Sequence, residues 1–222
     1  MEPINVIQIG MGPIGQRVAG VAAKRKTVRL VGAVDPAPDK CGCKVSDLCG
    51  ANTDADVTVC GTVSEVLDDV RPDVAFVTTF SSLQKTAPQL EEIAKRGIHV
   101  VSTCEELSYP WQTQPQLARD LDRLAVDSGS CILGTGVNPG FLMDFLPAAL
   151  TGICENVTGV RVGRVQDASI RREPFQKKIG AGLTLEAFEE KRQTGTLRHV
   201  GLTESMHMLA AALGWALDKT ED

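Results

Sequence analysis

The chain has 222 residues, of which 43% are apolar and 23% are charged, and its formal net charge is −5. A chain of this length buries a full hydrophobic core as one large domain or two small ones. Its acidic balance argues against nucleic-acid and anionic-membrane partners, because both need clustered Lys and Arg. The longest apolar stretch, near residues 208–217, is too short to span a bilayer. We therefore expect a small-molecule partner.

The cysteine content favours a reducing compartment. Seven cysteines are an odd number in a chain too large to need disulfides, so we expect the cytoplasm. The first predicted strand starts within a few residues of Met1, so we expect no signal peptide. Cys41, Cys43 and Cys49 do not follow the usual zinc-ligand spacing and no histidine lies near them, so no metal is predicted.

A glycine-rich turn follows the first predicted strand, residues 4–9. Its sequence is Gly10-Met11-Gly12-Pro13-Ile14-Gly15. Gly10 permits a tight strand-to-helix turn, Gly12 lets a pyrophosphate approach the backbone, and Gly15 lets the helix pack on the strand. The phosphates would lie at the positive end of that helix. We predict cofactor contacts at Gly10, Gly12, Pro13, Ile14 and Gly15.

The second predicted strand, residues 28–34, ends at Asp35. This acid stands 20 residues after Gly15, where dinucleotide folds place the carboxylate that binds the ribose. A carboxylate there favours NAD because it repels a 2′-phosphate, but Lys40 and Lys44 follow within reach of one. Both NAD and NADP stay open as cofactors. Residues 36–56 are predicted to form a loop with one helical turn.

The next strands are predicted over residues 57–60 and 73–79, with a helix over 63–70 between them. Ligands of open parallel sheets bind beyond the carboxyl ends of the strands. We therefore predict that a polar stretch at the end of the later strand contacts the cofactor, and an ordinary polar loop is the alternative. This stretch comprises Thr78, Thr79, Phe80 and Ser81.

Two adjacent acids follow the fifth predicted strand, residues 98–102, which comes after a helix over 85–96. Glu105 and Glu106 lie at the ligand-binding edge, where packing explains carboxylates poorly, so we expect one of them to face the cleft. Neighbouring side chains on extended backbone point in opposite directions, which leaves both as candidates. The alternative is that both cap the next segment or lie in solvent. Thr103 and Cys104, just before them, are predicted cofactor contacts.

A helix over 112–127 and a sixth strand over 131–136 complete a repeating β-α-β order. This order predicts a doubly wound parallel sheet, the Rossmann fold, as a dinucleotide-binding domain over residues 1–136. Residues 137–222 are predicted to form a smaller α+β domain for substrate binding and dimerisation.

In that second domain Asn138 is predicted to cap a helix that has Pro139 in its first turn and ends near residue 150, and both are predicted cofactor contacts. Residues 157–168 are predicted as a strand of a second sheet, and helices are expected to start at Thr184 and Thr203. Three apolar residues are predicted to shape the substrate pocket, with core packing as the alternative. They are Phe141, Met143 and Phe175.

Five stretches together resemble one enzyme family. They are residues 10–15, residues 100–110 around Cys-Glu-Glu-Leu, residues 134–141 around Gly-Val-Asn-Pro-Gly, and residues 178–182 and 199–205. This pattern resembles the 2,4-diaminopentanoate dehydrogenases, which are close to the native NAD(P)H-dependent amine dehydrogenases and similar in fold to dihydrodipicolinate reductase. The Cys-Glu-Glu-Leu and Gly-Val-Asn-Pro-Gly stretches are more specific than the glycine turn.

The resemblance implies reversible oxidative deamination of a small amine to a ketone or aldehyde plus ammonia, with hydride transfer to NAD or NADP. It implies that Glu105 or Glu106 contacts the substrate amine, where a carboxylate accepts the proton and stabilises the iminium. His199 is predicted as a further substrate contact, and a homodimer is expected. Family members continue further, so part of the substrate pocket or dimer surface is expected to be absent from this sequence.

Two other functions stay open. A reductase of a cyclic imine acid, like dihydrodipicolinate reductase, would need a cationic cluster to hold two carboxylates, and the candidates are Arg171, Arg172, Lys177 and Lys178. A nucleotide-sensing module without turnover is compatible with a shortened second domain.

Overall fold

The computed structural model describes residues 2–50, 57–170, 173–194, 197 and 199–221, without the side chains of Pro174 and Lys178. A parallel sheet of six strands forms the centre of the first half, in the order β3-β2-β1-β4-β5-β6. The strands are β1 Ile4–Ile9, β2 Val28–Val34, β3 Val59–Cys60, β4 Val74–Val77, β5 His99–Ser102 and β6 Ile132–Gly134. The chain builds the sheet outward from β1 to β3 on one side and from β4 to β6 on the other, so the order reverses between β1 and β4. This topology confirms the predicted Rossmann sheet.

Five helices cross over between these strands. They are α1 Pro13–Ala22, α2 Val45–Cys49, α3 Val63–Asp69, α4 Leu83–Ala94 and α5 Pro115–Ser128. Helices α1 and α2 contribute to one buried cluster, and α3, α4 and α5 contribute to the other. Strand β1 is buried on both faces: Val6 packs in the first cluster, whereas Ile7 and Ile9 pack in the second. The mostly apolar sequence of β1 follows from this double burial.

The described elements after β6 are helical. They are α6 Phe145–Thr151, α7 Glu173–Lys178, α8 Leu185–Gln193 and α9 Leu202–Ala212. Thr184 caps α8 as predicted, since its side chain accepts a hydrogen bond from the Ala187 amide. None of the described helices has the length and apolar content to cross a membrane.

Two predictions for this second half are wrong. Residues 157–168 do not form a strand but run as irregular backbone, and Val165 is 99% exposed. Apolar alternation makes a strand only where a neighbouring strand pairs with its backbone, and no described segment does so here. Asn138 does not cap the following helix, because α6 begins at Phe145 and its cap is Asp144.

Asp144 connects the start of α6 to α9. Its fully buried carboxylate accepts hydrogen bonds from the amides of Gly140 (2.8 Å) and Phe145 (2.6 Å) and from the Ser205 hydroxyl (2.8 Å). Hydrogen bonds from these three donors offset the free-energy cost of removing the carboxylate from water. Asp144 thereby holds the turn over 138–144 against the helix that carries Glu204.

Candidate active site at the carboxyl edge of the sheet

The glycine turn after β1 is close-packed where the sequence predicts close packing. Gly10 has φ +86°, and a Cβ on it would lie 3.0 Å from the Thr78 carbonyl oxygen. A Cβ on Gly15 would lie 1.8 Å from the Gly10 carbonyl oxygen, which is backbone and cannot move aside. Both positions therefore require glycine if the turn is to keep its shape.

Gly12 differs from these two glycines because it faces open space. A Cβ built on Gly12 meets no atom within 4 Å, and its φ of −67° is accessible to any residue. No side chain caps the amino end of α1, which starts at Pro13 immediately after it. An uncapped helix start beside an open glycine is a site that fits an anionic group such as a pyrophosphate.

Two side chains brace this turn from beneath. The buried Gln8 amide donates to the carbonyl of Gly10 at 3.0 Å and to the Thr78 hydroxyl at 2.8 Å. That hydroxyl in turn donates to the Gly10 carbonyl at 3.0 Å. The Thr78 side chain therefore stabilises the turn from β4. Sequence analysis missed Gln8, although one polar residue inside an apolar strand is a recognisable signal.

Asp35 lies at the end of β2 and is 7% exposed. Its carboxylate accepts hydrogen bonds from the amides of Met11 (2.7 Å) and Ala37 (3.0 Å) and pairs with the Lys40 ammonium at 3.1 Å. Burial by itself raises the pKa of Asp35. The hydrogen bonds from the two amides and from Lys40 have the larger combined effect, so the pKa lies below its ordinary value. The charged form is thus the stable one, and Lys40 lies beside the position predicted for the ribose.

The predicted cofactor residues after β4 lie in different environments. Thr79 donates its hydroxyl to the Gln89 side chain at 2.7 Å, whereas Phe80 is 48% exposed at the edge. The Ser81 carbonyl accepts from the Glu106 amide and from the Cys104 thiol. These last two bonds join the loop after β4 to the loop after β5.

Cys104 packs in the buried core. It is 1% exposed, and burial raises the pKa of its thiol above the ordinary value. Packing on the core explains this thiol, and a cofactor contact at Cys104 stays a prediction. Thr103, one residue earlier, is half-buried.

The two acids after β5 have different environments. Glu106 accepts hydrogen bonds on Oε2 from the amide of Leu83 at 2.7 Å and from the side chain of Gln114 at 2.7 Å. It therefore stabilises the start of α4. The half-buried Glu105 carboxylate makes no hydrogen bond or ion pair with any residue in the described part of the chain.

Glu105 lies where the first half of the chain meets the second. A Cβ built on Gly201, the residue before α9, would lie 3.0 Å from the Cβ of Glu105 and 2.6 Å from the Pro139 ring. Asn138, before that proline, has a buried side-chain oxygen without a hydrogen-bond partner in the described residues. The structure thus brings Glu105, Pro139 and Gly201 together.

The four predicted substrate residues are not brought to this point by the described contacts. Phe141 stacks on Phe145, with ring centroids 6.2 Å apart, and is 45% exposed. Met143 and Phe175 are half-buried, and His199 is exposed. A role for any of them in binding substrate stays a prediction.

The basic cluster proposed for a dicarboxylate is only partly described. Arg171 and Arg172 lie outside the described residues, as does the side chain of Lys178. Lys177 is 73% exposed and pairs with Glu173 in its own helix at 2.7 Å. The described residues therefore give no support to a cationic pocket here.

Comparison with known proteins gives consistent matches along the chain. Residues 141–222 match the family defined as the 2,4-diaminopentanoate dehydrogenase C-terminal domain. The chain is 34% identical over 218 residues to the 2,4-diaminopentanoate dehydrogenase of Acetoanaerobium sticklandii, covering 98% of this chain and 62% of that protein. It matches the structure of an amine dehydrogenase from Mycobacterium smegmatis with a TM-score of 0.79 and 26% identity, covering 99% of this chain and 64% of the other. The chain thus spans less than two thirds of the length of either protein.

Proposed function

Because the chain is related along its whole length to the 2,4-diaminopentanoate dehydrogenases, we propose that it takes part in NAD(P)-dependent oxidation of a small amine. The product is a ketone or aldehyde plus ammonia, and the reverse reaction is reductive amination. The observation that carries this proposal is the carboxylate of Glu105, which has no partner among the described residues and lies after β5, at the same sheet edge as the glycine turn. Ligands of parallel sheets bind at this edge.

In this proposal the chain's residues supply binding and proton transfer. The nicotinamide cofactor, when bound, accepts or delivers the hydride. The open backbone at Gly12 and the start of α1 hold its phosphates, and Asn138 offers a buried acceptor oxygen next to Pro139. Glu105 accepts a proton from the substrate ammonium, since a free amine is needed before hydride can leave.

The proton that Glu105 takes from the ammonium passes to solvent before hydride leaves, so the carboxylate is charged again for a second task. Its negative charge beside the carbon–nitrogen bond stabilises the positive charge of the iminium. It then accepts a proton from the water that attacks this carbon and passes that proton to the nitrogen, which leaves as ammonia while the remaining hydroxyl loses its proton to form the carbonyl. The ammonia, the amine and the carbonyl compound are therefore the proposed small-molecule partners, and the free cysteines of the chain fit a cytoplasmic location.

The function is tested by mixing the purified chain with NAD⁺ or NADP⁺ and a panel of small primary amines, and following reduced cofactor at 340 nm. Amine-dependent reduction, reversed by adding ammonia and the matching carbonyl compound, is expected. Turnover of cyclic dicarboxylate imines without turnover of amines would indicate the imine acid reductase instead. Tight cofactor binding without any turnover would indicate a nucleotide-sensing module.

Lys40 is expected to decide how well NADPH is accepted. Its ammonium neutralises Asp35 at 3.1 Å and is 22% exposed, so it is placed to pair with a 2′-phosphate on the ribose. Lys40→Met should weaken NADPH binding by roughly ten- to a hundredfold, since a charge-assisted hydrogen bond contributes about 1.5–3 kcal/mol. NADH binding should change by less than about threefold, since charges at partly exposed pairs contribute little.

Fluorescence titration of both reduced cofactors measures this difference. Lys44→Met is not a suitable control, because Lys44 also interacts with other residues of the chain. Lys24→Met is suitable, because it removes the same charge from an exposed position after α1. An equal loss of NADH and NADPH affinity in Lys40→Met would contradict this role.

A further inference from the structure

A cavity of about 360 Å³ opens where the starts of α4 and α9 and the segment before α5 meet. Two carboxylates line it, those of Glu106 and Glu204, and hydroxyls line it at Ser82, Thr113 and Thr203. None of the described residues that line it is Lys, Arg or His. The cavity is therefore negatively charged and rich in hydrogen-bond acceptors.

Glu204 has no partner in the described part of the chain that explains its burial. It is 5% exposed, and its carboxylate makes no hydrogen bond or ion pair with the residues that the structure describes. Its place in the first turn of α9 is favourable for an acid, because helix starts carry partial positive charge. Its oxygens are not among the buried atoms that lack a partner in the described residues, so they are reached from the cavity that Glu204 lines. The cavity is where donors to this carboxylate would lie.

The neighbouring polar groups point to the same kind of ligand. The Gln114 side-chain nitrogen donates to Glu106 Oε2, so the amide oxygen of Gln114 is the group left buried without a partner in the described part of the chain. The other carboxylate oxygen of Glu106, Oε1, also accepts nothing there. The acceptors that no described donor engages are thus Glu106 Oε1, the Glu204 carboxylate and Gln114 Oε1, and of these only Gln114 Oε1 is a buried atom. A ligand that carries positive charge and several N–H donors fits this set.

We propose that this cavity binds a protonated amine through Glu204, with Glu106 and Gln114 as further acceptors. The source is either free ammonium or the amino group of an organic amine, because both present the same N⁺–H donors. This inference rests on the proposed function in so far as that reaction makes and uses these two species. Binding itself needs no cofactor and no hydride transfer, so it is measured separately from turnover.

The experiment is an NMR titration of the ¹⁵N-labelled chain without cofactor. Ammonium chloride, ethylammonium chloride and potassium chloride are added at matched ionic strength, and the amide signals of Gly201, Thr203 and the Gln114 side chain are followed. Saturable shifts with ammonium or ethylammonium, and none with potassium, are expected. Saturation with ammonium alone indicates the free ion, and saturation with ethylammonium alone indicates an organic amine. Equal shifts with potassium would overturn the proposal, because potassium has no N–H donors.

Glu204→Gln should weaken this binding by about ten- to a hundredfold, as expected for the loss of a charge-assisted hydrogen bond. Glu190→Gln removes the same charge from an exposed position on α8 and should leave the binding constant unchanged. Unchanged affinity in Glu204→Gln would contradict the proposal. If that variant does not fold, Glu204→Asp keeps the charge at the helix start, and its shorter side chain should still weaken binding at least threefold.

Comparison with the turnover assay separates the two proposals. Amine-selective binding in a chain that oxidises no amine leaves the cavity assignment standing and removes the dehydrogenase proposal. The wild type could oxidise amines and yet show no saturable shift of these amide signals with ammonium or ethylammonium. That result removes the cavity assignment alone.

Discussion

Glu105→Gln is expected to lower kcat for amine oxidation by roughly 10²–10⁴, the usual contribution of a positioned acid or base. An amide cannot accept the ammonium proton and does not offset the charge of the iminium. The side chain has no structural partner in the described residues, so its replacement should change the free energy of unfolding by less than about 0.5 kcal/mol. Cofactor affinity should stay within about threefold, because the variant leaves the glycine turn unchanged.

Glu106→Gln is the matched control because it is the same change one residue away. Its carboxylate holds the Leu83 amide and the Gln114 side chain, so the variant should lose about 1–2 kcal/mol of unfolding free energy. Its kcat should stay within about tenfold of wild type. If Glu106→Gln no longer oxidises amines and Glu105→Gln is fully active, Glu106 is the catalytic residue and Glu105 is not. Full activity in both variants would exclude a catalytic glutamate in this segment.

Alanine at Gly12 is expected to leave folding almost unchanged, whereas alanine at Gly15 is expected to destabilise it. The Cβ of Gly12→Ala enters open space in an allowed conformation, so unfolding free energy should change by less than about 0.5 kcal/mol. The added methyl occupies the space proposed for the pyrophosphate. An overpacking cost of about 1–3 kcal/mol corresponds to roughly a five- to hundredfold loss of NAD(P)H affinity.

Gly15→Ala should damage both properties. Its Cβ would lie 1.8 Å from the Gly10 carbonyl oxygen and 2.8 Å from the Thr78 hydroxyl, so the turn must open away from α1. We expect a loss of at least about 3 kcal/mol in unfolding free energy, together with loss of cofactor binding. Urea unfolding followed by circular dichroism measures the first effect, and NAD(P)H fluorescence measures the second. Unchanged NAD(P)H affinity in Gly12→Ala would show that no dinucleotide lies on this turn.

The sheet and its glycine turn were predictable from the sequence for a local reason. The last four residues of strand β1 are buried, so the strand reads as a mostly apolar run, and it is followed by Gly10, whose positive φ other residues adopt only at a cost. Strand β2 was predicted with its exact bounds, Val28–Val34. The predicted strand over 157–168 failed because strand formation depends on a distant pairing partner, which local alternation does not report.

The sequence by itself determined the fold class, the glycine turn at residues 10–15 and the presence of two acids after β5. Only the tertiary structure separated those acids, because the donors that engage Glu106 come from α4 and from the segment before α5, far along the chain. Glu204 likewise carries no sequence signal beyond a helix start, since its burial and its cavity arise where three distant segments meet. The role of a carboxylate depends on which hydrogen-bond donors reach it and on how far it is exposed to solvent, and the tertiary fold decides both.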